Sequence, residues 1–243
     1  MLAKINKIRL SCISSQQNIT FVSMKEIKPI AFFRSPLTSK FGIPRQSGLA
    51  GSLVGRIVFE PPYRREEALR GLEDFDYLWL VWGFSANRPS DGVQLTVRPP
   101  RLGGNVRLGV FATRSPFRPN GLGLSSVRIR RIVDGEIEVA GADLMDGTPV
   151  YDVKPYIPYV DCHPEAKGGF TDKKVWRLLS VTVPDEMARL FGAEELAALK
   201  EVLAQDPRPQ YQHDAGRVYG MPFGNKEVRF RVEGDVLEVV EVE

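Results

Sequence analysis

The chain has few of the residues on which most metal and disulfide sites depend. Its 243 residues include two cysteines and two histidines, and Cys12 and Cys162 stand far apart in no recognisable motif. Such a set excludes a disulfide framework and any familiar spacing of zinc ligands, so we expect no metal. Scarce cysteine fits a reducing compartment, and we expect a cytoplasmic protein. No stretch approaches the roughly 20 apolar residues that span a bilayer.

Motifs of the common nucleotide-binding and hydrolytic folds are also missing. A Rossmann fingerprint needs a strand, G-x-G-x-x-G and then a helix, but Gly121 and Gly123 are followed by a segment with the pattern of a strand, 124–133. Gly103-Gly104 lies between prolines and another strand-like run. The sequence has no P-loop, nucleophile elbow or Cys–His pair, so hydrolysis by a catalytic triad has no support.

Acidic residues and lysine are absent between Gly92 and Val133, although this segment holds eight arginines. The whole chain carries +3, so the remainder sums to −5 once these eight positive charges are subtracted. A guanidinium is a planar fork that grips phosphate or carboxylate through paired hydrogen bonds. The pattern favours an anion-binding site over a merely basic face. The arginines are Arg98, Arg101, Arg107, Arg114, Arg118, Arg128, Arg130 and Arg131.

Short apolar runs rich in Val, Ile, Phe, Trp and Tyr dominate the chain from residue 27 onward, with Pro or Gly between them. Strands are predicted at 27–33, 54–60, 77–84, 106–113, 124–133, 136–140 and 150–157. A helix fits 64–75, and Asp134-Gly135 is typical of a tight hairpin turn. We therefore predict a mainly β protein with an antiparallel β-barrel, not a Rossmann fold, over residues 24–160.

The pattern changes after a polar, glycine-containing segment at 161–174, which is predicted to be a linker. Strands at 177–183, 227–232 and 236–242, with helices at 184–190 and 193–205, indicate a small α+β domain over 175–243. Asp206-Pro207 ends the second helix because proline disfavours helical geometry just before it. Residues 1–23 are basic and acid-free, so we expect a disordered extension or a start codon placed too early, with Met24 beginning the folded protein.

A proline-stiffened loop stands out within the arginine-rich segment. Pro116 and Pro119 fix a backbone from which Arg114, Arg118 and Asn120 project. Two guanidinium groups and an amide on a stiff loop form a preorganised polar site. The alternative is a rigid connection whose arginines cap neighbouring carbonyl groups.

Several motifs in this order resemble the TrmO (TsaA-like) family of tRNA methyltransferases, which act on N6-threonylcarbamoyladenosine beside the anticodon. They are I-A-F-F-R-S-P at 30–36, F-G-I-P-R-Q at 41–46, T-V-R-P-P-R-L-G-G at 96–104, G-V-F-A-T-R-S-P-F-R-P-N-G-L-G at 109–123, D-L-M-D-G-T-P-V-Y-D-V-K-P-Y-I-P at 143–158 and L-A-Q-D-P-R-P-Q-Y at 203–211. The resemblance covers nearly all of the chain beyond residue 23. It implies an all-β methyltransferase domain, S-adenosylmethionine as cofactor, no metal, tRNA as partner and a homodimer.

The resemblance also implies a set of cofactor-binding positions. Where the family pattern has His-Gln after the third strand this chain has Ser85-Ala86, so contacts there are expected from the backbone. The expected positions are Pro44, Arg45, Gln46, Ser85, Ala86, Arg114, Leu124, Asp146, Gly147, Thr148 and Pro149. Arg45 or Arg114 would hold the cofactor carboxylate. Asp146 would bind its ammonium or ribose, the alternative being that Asp146 caps the Gly-Thr-Pro turn.

Catalytic and RNA-binding roles follow from the chemistry of the implied substrate. Its threonyl group carries a free carboxylate, and Arg118, helped by Asn120, would clamp either that carboxylate or an adjacent phosphate. For RNA we expect Arg98, Arg101, Lys154, Tyr156, Arg208 and Tyr211. Alternatively, Arg208 and Tyr211 form a latch between the two domains, and Tyr156 packs in its strand. We identify no general base.

Two other functions remain open at the level of sequence. A noncatalytic RNA-binding barrel would use the arginines on the phosphate backbone alone. A methyltransferase of the same fold could act on another substrate. Binding of S-adenosylmethionine distinguishes the proposed enzyme from a noncatalytic RNA-binding barrel. Activity that requires the threonylcarbamoyl group distinguishes it from a methyltransferase with another substrate.

Overall fold

A closed six-stranded antiparallel barrel forms the first part of the protein. The computed structural model describes residues 26–87, 94–99, 106–173, 177–209, 214 and 216–243. The barrel strands are β1 Ala31–Arg34, β2 Val54–Phe59, β3 Tyr77–Gly83, β6 Leu122–Val133, β7 Glu136–Ala140 and β8 Pro149–Pro155. They follow one another around the barrel in the order β1-β2-β7-β6-β3-β8, and β8 pairs with β1 to close it. This confirms the predicted fold class.

Alternation along each strand fills the barrel. In β3, Leu78, Leu80 and Trp82 are buried, whereas Tyr77 and Trp79 point outward. Side chains at every second position of a strand share a face, so one set packs the interior and the other is available on the outside. The barrel's outer surface is therefore a place where sequence can encode binding without disturbing the core.

The C-terminal unit is a four-stranded sheet with helices beside it. Its strands β9 Ser180–Thr182, β10 Tyr219–Phe223, β11 Lys226–Glu233 and β12 Val236–Val242 lie in the order β10-β11-β12-β9, with β9 and β12 parallel. Its helices are α3 Asp185–Ala188 and α4 Ala193–Ala204, whose buried face is Ala198, Leu199, Val202 and Leu203. Two short strands, β4 Thr96–Val97 and β5 Leu108–Gly109, pair apart from both sheets.

Three predicted elements differ from the structure. The helix at 64–75 is split into α1 Glu66–Leu69 and a 3-10 turn, Leu72–Asp74, because Gly71 between them has φ 85°. The strand at 106–113 shrinks to the two residues of β5 before a 3-10 turn. The segment at 161–174, predicted to be a linker, starts at the last residue of α2, Pro158–Asp161, and contains a 3-10 turn, Gly169–Lys173.

The hairpin between β6 and β7 agrees with the sequence. Asp134 and Gly135 both have positive φ, 53° and 71°, as the type I′ turn demands. Near this end of β6 the register shifts between Ile129 and Arg131, so Arg130 is the extra residue of a bulge. Bulges re-aim side chains, and the Arg130 side chain reaches across to α4.

Candidate active site

A long connecting loop (residues 35–53) carries Pro44, Arg45 and Gln46 between the barrel and the C-terminal unit. Its apolar residues Leu37, Ala50 and Leu53 are buried in the core of the C-terminal unit. On the barrel side, the loop's Gly48 N–H donates to the carbonyl of Gly141 at 2.8 Å. The loop is thus fixed from both sides.

Polar contacts from the C-terminal unit reinforce that packing. The Glu201 carboxylate accepts hydrogen bonds from both the backbone N–H and the hydroxyl of Ser52, each 2.7 Å long. The Gln205 amide donates to the carbonyl of Leu49 at 3.2 Å. Gly42 has φ 94°, and a Cβ there would overlap the Met221 side chain, so glycine is required by both backbone and packing.

Asp146 and Thr148 lie in the turn that follows β7 and docks against β1. The Asp146 carboxylate accepts the Ser35 backbone N–H at 3.1 Å and lies 3.7 Å from the Arg34 guanidinium. Gly147, at φ 74°, has open space where a Cβ would stand, and its N–H donates to Phe33 O at 2.8 Å. Asp146 therefore ties β1 to this turn through Ser35 and Arg34, and the turn keeps an open backbone face at Gly147.

Arg114 is joined to the connecting loop by a hydrogen bond to the side-chain oxygen of Gln46. Asp143 lies nearby, where its carboxylate accepts the Ser125 hydroxyl at 2.5 Å. Burial raises the pKa of Asp143, while the Ser125 hydrogen bond, the positive Arg114 and the Ser47 backbone act against that rise. Asp143 was missed at the sequence level, although it opens the D-L-M-D-G-T-P motif and so stood within a recognised signal.

A tryptophan holds this carboxylate network in place from inside the barrel. The Trp82 indole N–H donates to the Ser125 oxygen at 2.9 Å, and Ser125 is buried. Gly123 pairs with Trp82 across β3 and β6, and a Cβ on Gly123 would overlap the indole ring. The glycine that resembled part of a dinucleotide motif is therefore a packing requirement of the Trp82 ring.

Arg118 binds carbonyl groups of its own loop. Its Nη1 donates to Thr113 O at 2.7 Å and to Val110 O at 3.3 Å, and its guanidinium lies 5.9 Å from the Phe111 ring centroid. The carbonyl-capping arrangement is thus present. Asn120 is exposed at the following turn.

Ser85 and Ala86 follow β3 beside the Arg118 turn. The N–H of Phe84 donates to Gly121 O at 2.8 Å, and Lys40 of the connecting loop donates to Asn87 Oδ1 at 2.5 Å. The four segments that carry the predicted cofactor residues, 44–46, 85–86, 114–124 and 146–149, therefore meet at one end of the barrel.

A cavity of about 380 Å³ opens at this end and extends along the barrel wall. It brings the predicted cofactor residues Arg114 and Leu124 together with Tyr156, a predicted RNA-binding residue. Its lining residues are Ser47, Tyr77, Trp79, Arg114, Leu124, Ser126, Tyr156 and Asp161. A volume of this size falls within the range of small-molecule sites.

Comparison with known proteins places this geometry in a family. Residues 32–162 match the model of the tRNA-methyltransferase O N-terminal domain, and residues 178–243 match that of the TrmO C-terminal domain. The chain belongs to the tRNA-methyltransferase O family. This confirms the resemblance found in the sequence.

Members of the tRNA-methyltransferase O family match the chain along nearly its whole length. The tRNA (adenine(37)-N6)-methyltransferase of Escherichia coli is 38% identical over 234 residues, 91% of this chain and 99% of that protein. A Pseudomonas aeruginosa relative that bears the name S-adenosylmethionine-dependent methyltransferase is 39% identical over 89% of this chain and 96% of its own. The crystal structure of TrmO from Pseudomonas aeruginosa matches with a TM-score of 0.74 at 32% identity, covering 90% of this chain and 99% of that chain.

The residues of this tRNA-methyltransferase O chain suit S-adenosylmethionine chemically. The cofactor has a carboxylate that a guanidinium such as Arg114 can bind, and cationic groups that a carboxylate such as Asp146 favours. The open backbone face at Gly147 admits close approach of a ligand. Within the described ranges, no group of three or more His, Cys, Asp or Glu side chains could hold a metal ion.

The predicted RNA-binding residues are scattered over the structure. Arg98 is exposed beside β4, and the Lys154 ammonium lies 3.0 Å from the carboxylate of Asp152. Arg208 is 9% exposed and is bound through two nitrogens to Asp206 of its own unit at 2.8 and 3.0 Å. Arg101 and Tyr211 lie outside the described residues.

Proposed function

We propose that this protein transfers a methyl group from S-adenosylmethionine to N6 of threonylcarbamoyladenosine next to the anticodon of tRNA. The observation that carries the proposal is the shared cavity, in which Arg114 and Leu124 adjoin Tyr156. A methyltransferase needs its cofactor and its nucleobase side by side, and a pure RNA-binding barrel has no use for that arrangement. The whole-length match to the Escherichia coli enzyme supports the same conclusion.

Two parts of the site would hold the cofactor. Arg114, held by Gln46, presents its guanidinium to the cofactor carboxylate, and the turn at Asp146 and Gly147 offers a carboxylate and open backbone. When bound, S-adenosylmethionine supplies a methyl group on a positively charged sulfur. Transfer of that group is an in-line displacement, so alignment of the two reactants provides much of the catalysis.

Arg118 would orient the substrate through the threonyl carboxylate. Both of its carbonyl contacts among the described residues are made by Nη1, and a guanidinium has five N–H donors. The anchored side chain therefore keeps donors for a bidentate carboxylate. Asn120, exposed two residues further along the chain, would add an amide contact.

Replacing Arg118 tests that role directly. Arg118→Ala should lower kcat/KM for modified tRNA by about 10–150-fold, the effect of losing charged hydrogen bonds worth roughly 1.5–3 kcal/mol, with little change in cofactor affinity. Arg231→Ala, which removes an exposed arginine of the C-terminal unit, is the control. Equal activity of wild type and Arg118→Ala would remove the clamp from the mechanism.

The function itself is tested by methyl transfer from labelled S-adenosylmethionine to bulk tRNA prepared with and without threonylcarbamoylation. Incorporation that depends on the modification is the expected result. Incorporation into both preparations would keep the enzyme and discard the substrate. Tight tRNA binding without incorporation would instead favour a noncatalytic RNA-binding barrel.

The homodimer and the cytoplasmic location are further parts of the proposal. Phe111 and Phe117 are 73% and 47% exposed beside the Arg118 loop, and exposed apolar groups of this kind favour a protein partner. Sedimentation of Phe111→Asp against wild type tests the dimer. Each helix in the described ranges is too short or too polar to cross a membrane, and Cys162 is an exposed free thiol.

A further inference from the structure

The outer face of three neighbouring barrel strands presents aromatic and basic side chains in register. Strand β3 pairs with β6 on one side and with β8 on the other, and the register places Tyr77 opposite Arg128 and Trp79 opposite both Ser126 and Lys154. On β3 and β6 these side chains alternate with buried ones, so they point away from the barrel core, and the register places Lys154 on the same face beside Trp79. The face, which we name the aromatic face, consists of Tyr77, Trp79, Leu124, Ser126, Arg128, Lys154 and Tyr156.

Three rings form the centre of the aromatic face. The Trp79 and Tyr156 centroids lie 5.5 Å apart at 48°, and those of Tyr77 and Tyr156 lie 6.2 Å apart at 60°. Such tilted contacts hold rings in fixed orientation. Tyr77 nevertheless remains 43% exposed, so the rings offer a surface as well as a packing contact.

Asp161 fixes the Trp79 ring from below. One carboxylate oxygen, Oδ2, accepts the Trp79 indole N–H and the Ile157 backbone N–H, both at 2.9 Å. These two donors lower the pKa of Asp161, so it stays ionised and bound. A tryptophan whose only polar atom is already satisfied is left to act through its ring faces.

The surroundings of the aromatic face suit a nucleic acid strand. Arg128 is exposed at one edge and Lys154 at the other, the latter 3.0 Å from Asp152 in a pair exposed to solvent. With Arg114, these cations outnumber the two local carboxylates, Asp152 and Asp161. Proteins that bind single-stranded RNA combine such cations with aromatic rings on which bases stack.

The aromatic face is also continuous with the cofactor end of the barrel. Leu124 and Ser126 lie on β6 in the same outward row as Arg128, and the cavity that contains Trp79 and Tyr156 reaches Arg114. A base stacked here would be a neighbour of the base that receives the methyl group. This continuity separates the face from an ordinary surface cluster.

We propose that the aromatic face stacks nucleobases of the tRNA anticodon loop, with the Trp79 and Tyr77 rings as the platform. The inference rests on the proposed function and adds the subsite that positions the RNA. Trp79 and Tyr77 are positioning residues, because they hold the strand and take no part in the transfer. Each stacked base lost should weaken RNA binding by about 5- to 150-fold.

The experiment compares Tyr77→Ala, Trp79→Ala and Trp79→Phe with Tyr63→Ala as the matched control, since Tyr63 and Tyr77 are 45% and 43% exposed. The measurements are KM for modified tRNA, KM for S-adenosylmethionine and direct binding of a fluorescent anticodon stem-loop. Expected results are a raised KM for tRNA and weaker stem-loop binding in Tyr77→Ala and Trp79→Ala. Trp79→Phe should recover most of the binding because a phenyl ring still stacks, and Tyr63→Ala should behave as wild type.

Other outcomes would overturn the inference. A higher KM for S-adenosylmethionine with unchanged RNA binding would mean that the face holds the cofactor's own adenine. A changed sedimentation coefficient with unchanged RNA binding would mean that a second copy of the chain covers it. If Trp79→Ala fails to fold, Tyr77→Ala still tests the inference, because the Tyr77 side chain is exposed. If wild type binds the stem-loop but transfers no methyl group, the proposed function fails while the stem-loop measurement still decides the stacking role.

Discussion

Replacing Glu201 with alanine should weaken cofactor binding although Glu201 lies in the C-terminal unit and outside the predicted cofactor residues. The connecting loop that carries Arg45 and Gln46 is fixed by that unit, and the Glu201 carboxylate accepts two hydrogen bonds from Ser52. Without them the loop gains freedom, which must be lost again when a ligand binds. Cofactor affinity should therefore fall because the loop is less ordered before the cofactor binds.

The size of the effect can be worked from those contacts. Hydrogen bonds to a charged group contribute about 1.5–3 kcal/mol, and partial exposure of Glu201 lets water replace some of this, so we expect a loss of about 1.5–3 kcal/mol for the two together. For a chain of this length each kcal/mol shifts Tm by about 2–4 °C, which gives a decrease of roughly 3–12 °C. Glu241→Ala breaks an exposed pair with Arg229 and should cost at most about 1 kcal/mol.

The assay has a stability readout and a functional one. Thermal unfolding of Glu201→Ala and Glu241→Ala is compared with wild type, and KM for S-adenosylmethionine and kcat are measured at a temperature where all three are folded. We expect a raised KM and a nearly unchanged kcat for Glu201→Ala alone. A lowered Tm with wild-type KM would show that the C-terminal unit stabilises the fold without positioning the loop, and the reasoning would be refuted.

Three further predictions concern the interior. Gly123→Ala should destabilise the protein by about 1–3 kcal/mol in urea unfolding, because a Cβ would overlap the rigid Trp82 ring. Burial raises the pKa of the Asp143 carboxyl group, so this group keeps its proton to a higher pH in the folded state than in the unfolded state. The free energy of unfolding of wild type should therefore fall as pH rises from about 3.9 to the raised pKa. Urea unfolding across this pH range should show that Asp143→Asn becomes more stable relative to wild type. Arg208→Ala breaks a buried pair with Asp206 and should lower the free energy of unfolding by about 3 kcal/mol. If Arg208 bound only RNA, the same change would raise KM for tRNA and leave the stability unchanged.

The barrel strands were predicted within a few residues because period-2 alternation depends on local sequence alone. β10 was missed because its sequence, Y-G-M-P-F, contains the glycine and proline that normally separate strands. It forms because it is the edge strand of its sheet, where a missing N–H is tolerated. The helix at 64–75 was predicted too long because its apolar stripe suggested a continuous helix, whereas the positive φ of Gly71 interrupts it.

Predictions of the site residues depended more on resemblance than on pattern. Their meeting at one end of the barrel depends on closure between β8 and β1, which no local signal contains. Asp143 was passed over because a carboxylate becomes informative only when its neighbours are known, here Ser125 and Arg114. Trp79 was read only as part of a strand, and its outward position needed the register of β3 to be defined.

The arginine-rich segment shows why charge counted along the chain is an unreliable map of charge in space. Arg131 is paired with Glu138 of β7 at 2.8 Å, and Arg130 with Glu194 of α4 at 2.9 Å, so acids absent from the segment reach it from other elements. Hydrogen bonding by Glu194 raises the pKa of Arg130 and in turn lowers that of Glu194, as expected of a formed ion pair. The bulge in β6 thus directs Arg130 toward the C-terminal unit, and Arg114, Arg118 and Arg128 are left to the barrel's ligand side. Arg130 and Arg131 therefore serve the fold, whereas Arg114, Arg118 and Arg128 keep the anion-binding role expected from the sequence.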